Sequence, residues 1–149
     1  MGSEMCIRDR VKTALDILPR TPELYSMDPH NLKEIIQSVT KLGKILQQEQ
    51  KALEIVNSLQ KRIKNIQTSK SKKTPRVLAL EWIEPFFTAG HWIPGMIELA
   101  GGINLISKTG EHSRRMDIAE VINSNPDIII LMPCGFDTAR TISEYTSIL

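Results

Sequence analysis

The sequence predicts an α/β fold: one long helix followed by an α/β sandwich lobe on a mainly parallel sheet. Three observations carry that prediction. Apolar residues from Leu32 to Ile66 recur at steps of three and four, which keeps them on one helical face. Beyond Pro75 the pattern changes to compact apolar runs, "RVLALEW" and "DIIILMP", of the length and bounding residues expected for buried strands. Helical patterns alternate with those runs, and strand–helix alternation argues for parallel pairing through right-handed crossovers.

Each element can be justified in chain order. "EMCIRDR", Glu4 to Arg10, resembles the translation of a transposase adaptor used to fragment DNA for sequencing, so residues 1–10 are set aside from fold reasoning. Val11 to Leu18 reads as the end of a helix. Pro22 and Pro29 then punctuate a stretch in which Leu24 to Met27 could form a short strand. The long helix is expected over 31–67. Asn31 can cap it, and Glu34 stands at capping-box spacing. Gly43 inside it would cost up to about 1 kcal/mol against alanine. About 35 residues at 1.5 Å each give a rod of about 50 Å, which either bridges two lobes or forms a coiled coil. The apolar stripe breaks at Glu49, Gln50 and Lys51, which argues against a zipper. Residues 68–75, "TSKSKKTP", form a polar basic linker.

From 76 onward the lobe begins with a strand at "RVLALEW". "EWIEPFFTAGHW" leaves that strand as a loop. A helix from Ile93 to Ala100 follows, ended by Gly101 and Gly102. "INLIS" can be a second strand. "MDIAEVINSNP" is a helix with Asp117 near its start, "DIIILMP" a buried strand, and "FDTARTISEYTSIL" a final helix that stops at Leu149 without a cap. Both chain ends therefore read as cut, so this is expected to be an internal fragment.

Composition excludes several functions. A net charge of +2 over 149 residues argues against a nucleic-acid partner. Cys6 falls in the adaptor-like segment, which leaves Cys134 alone and rules out an internal disulfide or a cysteine-based zinc site. The sequence has no Walker loop, no nucleophile elbow and no metal-ligand spacing, so neither an enzyme nor a metal site is expected.

The aromatic residues point instead to binding. Ligands of parallel α/β sheets sit beyond the carboxyl ends of the strands. The two loops expected there, "EWIEPFFTAGHW" and "PCGFD", carry Trp82, Phe86, Phe87, His91, Trp92, Cys134 and Phe136. Small-molecule sites are mostly apolar and aromatic with a few polar groups, and these loops fit that description. Phe86 and Phe87 are adjacent, so one should face the core and the other the exterior, with Phe87 taken as the exposed one. Trp82 and Trp92 can cover the sheet edge or contact ligand. His91 can be a hydrogen-bonded surface residue or a metal ligand, and Cys134 a neutral thiol or a nucleophile.

"RVLALEWIEPFFTAGHWIPGMIELAGGINLIS" followed by "MDIAEVINSNPDIIILMPCGF" resembles the C-terminal lobe of the substrate-binding proteins that deliver cobalamin and iron-siderophores to ABC importers, most of all the cobalamin-binding branch. "LYSMDPHNLKEII" resembles the segment that enters the helix joining their two lobes. The resemblance implies a truncated two-lobe fold. Residues 11–30 would be a remnant of the N-terminal lobe, 31–67 the bridge, and 76–149 most of the C-terminal lobe. It also implies a transported ligand, a corrinoid or another metal chelate such as a ferric siderophore or haem, with no resident cofactor. For an anionic siderophore, His112, Arg114 and Arg115 could supply basic contacts. The expected partner is an ABC permease, docked through a carboxylate for which Glu111, Asp117 and Glu120 are the candidates. The protein would be an extracytoplasmic monomer.

Overall fold

The structure, a computed structural model, describes residues 15, 18–20, 22–69 and 73–146. The adaptor-like residues 1–10 and most of the expected helix end at 11–18 lie outside the described residues. Residues 22–30 are irregular: Leu24 and Met27 are exposed and form no strand. Prolines bracket that short stretch, and no neighbouring strand offers it backbone partners.

The expected single helix over 31–67 is two helices, α1 (Leu32–Ile45) and α2 (Glu49–Thr68). Asn31 caps α1 by accepting the Glu34 backbone N–H, and the Glu34 carboxylate accepts the His30 N–H in return. The break follows from local chemistry. Gln47 adopts a left-handed φ of 54°, the Gln48 N–H donates to the Gly43 carbonyl, and the Gln47 N–H donates to that of Lys44. That pair of bonds is a Schellman closure, which ends a helix and turns the chain. A Cβ on residue 43 would stand 2.3 Å from the Ala52 Cβ, so glycine is what lets α2 lie against α1 here. The periodic stripe continues across the break because both helices bury one face, and periodicity alone does not reveal a turn of three residues between them.

The lobe beyond Pro75 is built around β1 (Arg76–Ile83). β4 (Ile128–Leu131) pairs parallel with it along one side. On the other side, β3 (Ile103–Asn104) pairs parallel with its start and β2 (Phe86–Thr88) antiparallel with its end. The sheet is therefore mixed, because "EPFFT" turns back as a hairpin instead of running out as a loop. "INLIS" contributes only its first two residues as a strand, and the chain turns away at Ile106, whose φ is 72°.

Burial explains why β1 reads as a continuous apolar run. Val77 and Ala79 meet Ala89 and Ile97 on one face, while Leu78 and Leu80 meet Ile83 and Met116 on the other. A central strand covered on both faces has no polar alternation. β4 differs from the expectation of a buried strand. Ile128, Ile129 and Ile130 are 46%, 48% and 37% exposed, since β4 is an edge strand with β1 as its partner.

Three helices complete the lobe. α3 (Ile93–Leu99) carries Pro94 in its first turn, where the missing N–H costs nothing, and ends in a Schellman closure at Gly101 and Gly102. α4 (Ile118–Ser124) begins at a reciprocal capping box between Asp117 and Glu120. α5 (Thr138–Thr146) follows the loop after β4.

Candidate functional site

A β-bulge places the first half of the site. The register between β1 and β2 shifts between Leu80 and Trp82, so Trp82 pairs with Phe87 and Ile83 with Phe86. The extra residue carries Ile83 to the face of Leu78 and Leu80, where Phe86 packs with it on the core. Trp82 is turned outward, 36% exposed, with its indole N–H donating to the Glu84 carbonyl at 3.0 Å. Cross-strand partners share a face, which puts Phe87 beside Trp82. Of the two phenylalanines, Phe86 is thus the one that packs, partly buried, against the core. Phe87 lies on the outward face but is half-buried rather than exposed.

The loop after β4 brings the second half. Pro133 to Phe136 form a turn in which the Phe136 N–H donates to the Pro133 carbonyl and Gly135 takes a φ of 76°. Only glycine accepts that backbone without strain. The turn exposes Cys134 and brings Phe136 onto Trp82, with ring centroids 5.2 Å apart in an edge-to-face contact. Arg140, in the first turn of α5, stacks its guanidinium 3.6 Å from the Phe136 ring centroid. Trp82, Phe87, Phe136 and Arg140 thus form an aromatic wall with a cationic edge at the carboxyl end of β1 and β4. Arg140 escaped the sequence reading, although its position four residues after Phe136 on a helical pattern carries the signal.

His91 and Trp92 belong to a different place. β2 runs back from the hairpin tip, so these residues follow its far end. There the rings of His30, His91 and His112 come together, with centroid separations of 5.0, 5.2 and 5.5 Å. They are the chain's three histidines, and one metal-ligating nitrogen from each lies within 4.8 Å of the others. Their sequence spacing matches no metal motif, and this group is the feature that sequence reasoning missed. The local backbone builds it. His91 holds a φ of 55°, its N–H donates to the Glu111 carbonyl at 2.7 Å, and its carbonyl accepts the Gly110 N–H at 2.9 Å. A Cβ on Gly90 would stand 2.4 Å from the Ser113 nitrogen, so glycine permits the loop bearing His112 to close on His91.

The candidate docking carboxylates differ in their commitments. Asp117 caps α4, and Glu120 both completes that cap and forms a two-pronged ion pair with Arg114 at 2.7 and 3.2 Å. The Arg114 side chain holds the Glu120 carboxyl below its ordinary range, and Glu120 raises Arg114 in turn. Glu111 has a looser pairing, 3.9 Å from Lys108. The Arg114 expected for an anionic ligand is therefore already paired with Glu120, and Arg140, at the aromatic wall, stands 3.7 Å from the Glu144 carboxylate.

A family described as "Periplasmic binding protein" matches residues 15–145. The chain is 31% identical over 117 residues to the high-affinity heme uptake system protein IsdE of Staphylococcus aureus, covering 74% of this chain and 40% of that protein. The structure of S. aureus IsdE complexed with heme superposes with a TM-score of 0.72 at 25% identity, over 95% of this chain and 55% of that one. The periplasmic vitamin B12 binding protein BtuF of Vibrio cholerae shares the fold with a TM-score of 0.63 at 19% identity, over 84% of this chain and 49% of that one. The chain spans about half or less of the length of these relatives. Among the described residues, no helix is long and apolar enough to cross a membrane.

Proposed function

Because the chain belongs to the periplasmic binding protein family, the substrate-binding proteins of ABC importers, we propose that it captures a corrinoid, a cobalamin-like ligand, in a cleft between two lobes and delivers it to an ABC permease. The observation that carries this reading is the aromatic wall. Trp82 and Phe136 present ring surface at the carboxyl edge of the sheet, where a flat conjugated macrocycle can bury a large area. Burial at about 25 cal/mol per Å² makes such a surface the main source of affinity. In this reading α2, with 20 residues and so a length of about 30 Å, is the rigid bridge, and closure around the ligand is small. The protein works as an extracytoplasmic monomer, binds without chemistry, and offers Glu111 as the docking carboxylate of this lobe.

Haem is the second reading, supported by the 31% identity to a heme uptake protein and by Arg140, whose charge at the wall suits the carboxylates of a haem edge. Titrating the full-length gene product with cyanocobalamin, hemin and a ferric hydroxamate, followed by visible absorbance and tryptophan quenching, separates the readings. Saturable one-to-one binding of cobalamin is the expected result. Binding of hemin alone replaces the corrinoid with haem and keeps the macrocycle. Binding of the hydroxamate alone, or of none, overturns the macrocycle reading.

A further inference from the structure

We propose that His30, His91 and His112 form a binding site for a borderline divalent cation of the zinc type, separate from the aromatic wall. The three donors come from two parts of the chain. His30 belongs to the irregular segment ahead of α1, while His91 and His112 belong to the sheet lobe. A bound ion would therefore pin that segment to the lobe. This inference does not depend on which chelate the wall takes.

The chemistry of the donor set fits. Three neutral imidazoles and an open position make a common zinc arrangement, with Zn–N distances of about 2.0–2.1 Å. Tetrahedral geometry at that bond length sets the nitrogens about 3.3 Å apart. The donors already lie within 4.8 Å of one another, and His112 is exposed, so small side-chain rotations complete the approach. Side-chain carboxylates favour a cation there. The Asp28 carboxylate stands 3.5 Å from His30 Nε2, the position of the partner that orients a ligating imidazole. The Glu34 carboxylate receives the His30 backbone N–H at 2.6 Å.

The backbone supports the same conclusion. His91 sits in a left-handed conformation unusual for a residue with a side chain, and reciprocal hydrogen bonds to the 110–111 turn hold it there. Gly90 has room for no side chain, because the His112 loop occupies the space. His30 is fixed by the cap of α1. His30 and His91 are thus held by backbone hydrogen bonds before any ion arrives, and preorganised donors lose little freedom on binding.

The test uses the full-length gene product freed of chelate and treated with EDTA, then titrated with ZnCl2 in a calorimeter and with CoCl2 by visible absorbance. The expected result is one ion per chain, with the absorption bands of tetrahedral cobalt. His112→Gln, at an exposed position that leaves the core untouched, should weaken binding at least about tenfold, and the His91→Gln/His112→Gln variant should abolish it. Hydrogen exchange should slow around His30 and in the 110–113 loop when zinc is added to the native protein and remain unchanged in the double variant. No binding by the native protein overturns the proposal. So does binding that survives the double variant at full affinity, or octahedral cobalt spectra. Zinc binding by a Trp82→Ala/Phe136→Ala variant, which alters the wall and none of the three histidines, should be unchanged, which keeps a failure here distinct from a failure at the wall.

Discussion

At the scale of single residues, two positions carry the most structural information. Leu78 is 1% exposed in the centre of the sheet, packed with Leu80, Ile83 and Met116. Leu78→Ala should destabilise the fold by about 2–5 kcal/mol, the cost of lost burial plus a cavity, measurable by urea denaturation. Gly43 is the opposite case. Its contact with Ala52 leaves no room for a methyl group, so Gly43→Ala should destabilise by about 1–3 kcal/mol even though alanine is the better helix former. A stabilised Gly43→Ala variant would contradict the packing described here. In the sequence, that glycine reads only as a weak point in one helix. Its meaning depends on which residue faces it, and that information is not local.

At the scale of elements, the short helix α4 is held at its start by side-chain chemistry. Asp117→Ala removes the side-chain half of the capping box and should cost about 1 kcal/mol, seen as faster hydrogen exchange across 117–121. Glu120 contributes to the same cap and to the Arg114 pair, and its carboxyl is held below the ordinary value of 4.5. A depressed carboxylate stabilises the fold at pH above its unfolded value and loses that contribution as pH falls through the folded one. α4 and the loop bearing Arg114 should therefore loosen on acidification below that range, and Glu120→Gln should remove this part of the acid sensitivity. Helix signals of this kind were legible in advance. The Asn31 and Asp117 caps and the Gly101–Gly102 stop stand where turn and cap chemistry puts them. The hairpin after β1 was not legible, because "EPFFT" has aromatic strand formers with no alternation that marks a return strand. The bulge that turns Trp82 outward is equally invisible, since it depends on the register with β2.

At the scale of the whole molecule, the α/β class follows from alternating periodicities, and the family from the residues around the first strand and its loop. The site was legible only in part. Trp82, Phe87, Cys134 and Phe136 converge because strands β1 and β4 are neighbours and end at one edge. His91 and Trp92, which the sequence places in the same loop, follow the far end of the antiparallel β2, where His91 meets His30 and His112 and Trp92 lies against the His91 ring. A linear reading treats a loop as one surface, whereas a hairpin divides it into two. The central claim is that the aromatic wall binds a planar metal chelate, and the most direct test compares the native protein with its Trp82→Ala/Phe136→Ala variant. In equilibrium titrations with cyanocobalamin and with hemin, the variant should lose at least about tenfold in affinity, or about 1.4 kcal/mol, for whichever ligand the native protein binds, while its melting temperature stays close to native because both rings are at least partly exposed. Unchanged affinity in a folded variant would contradict the account.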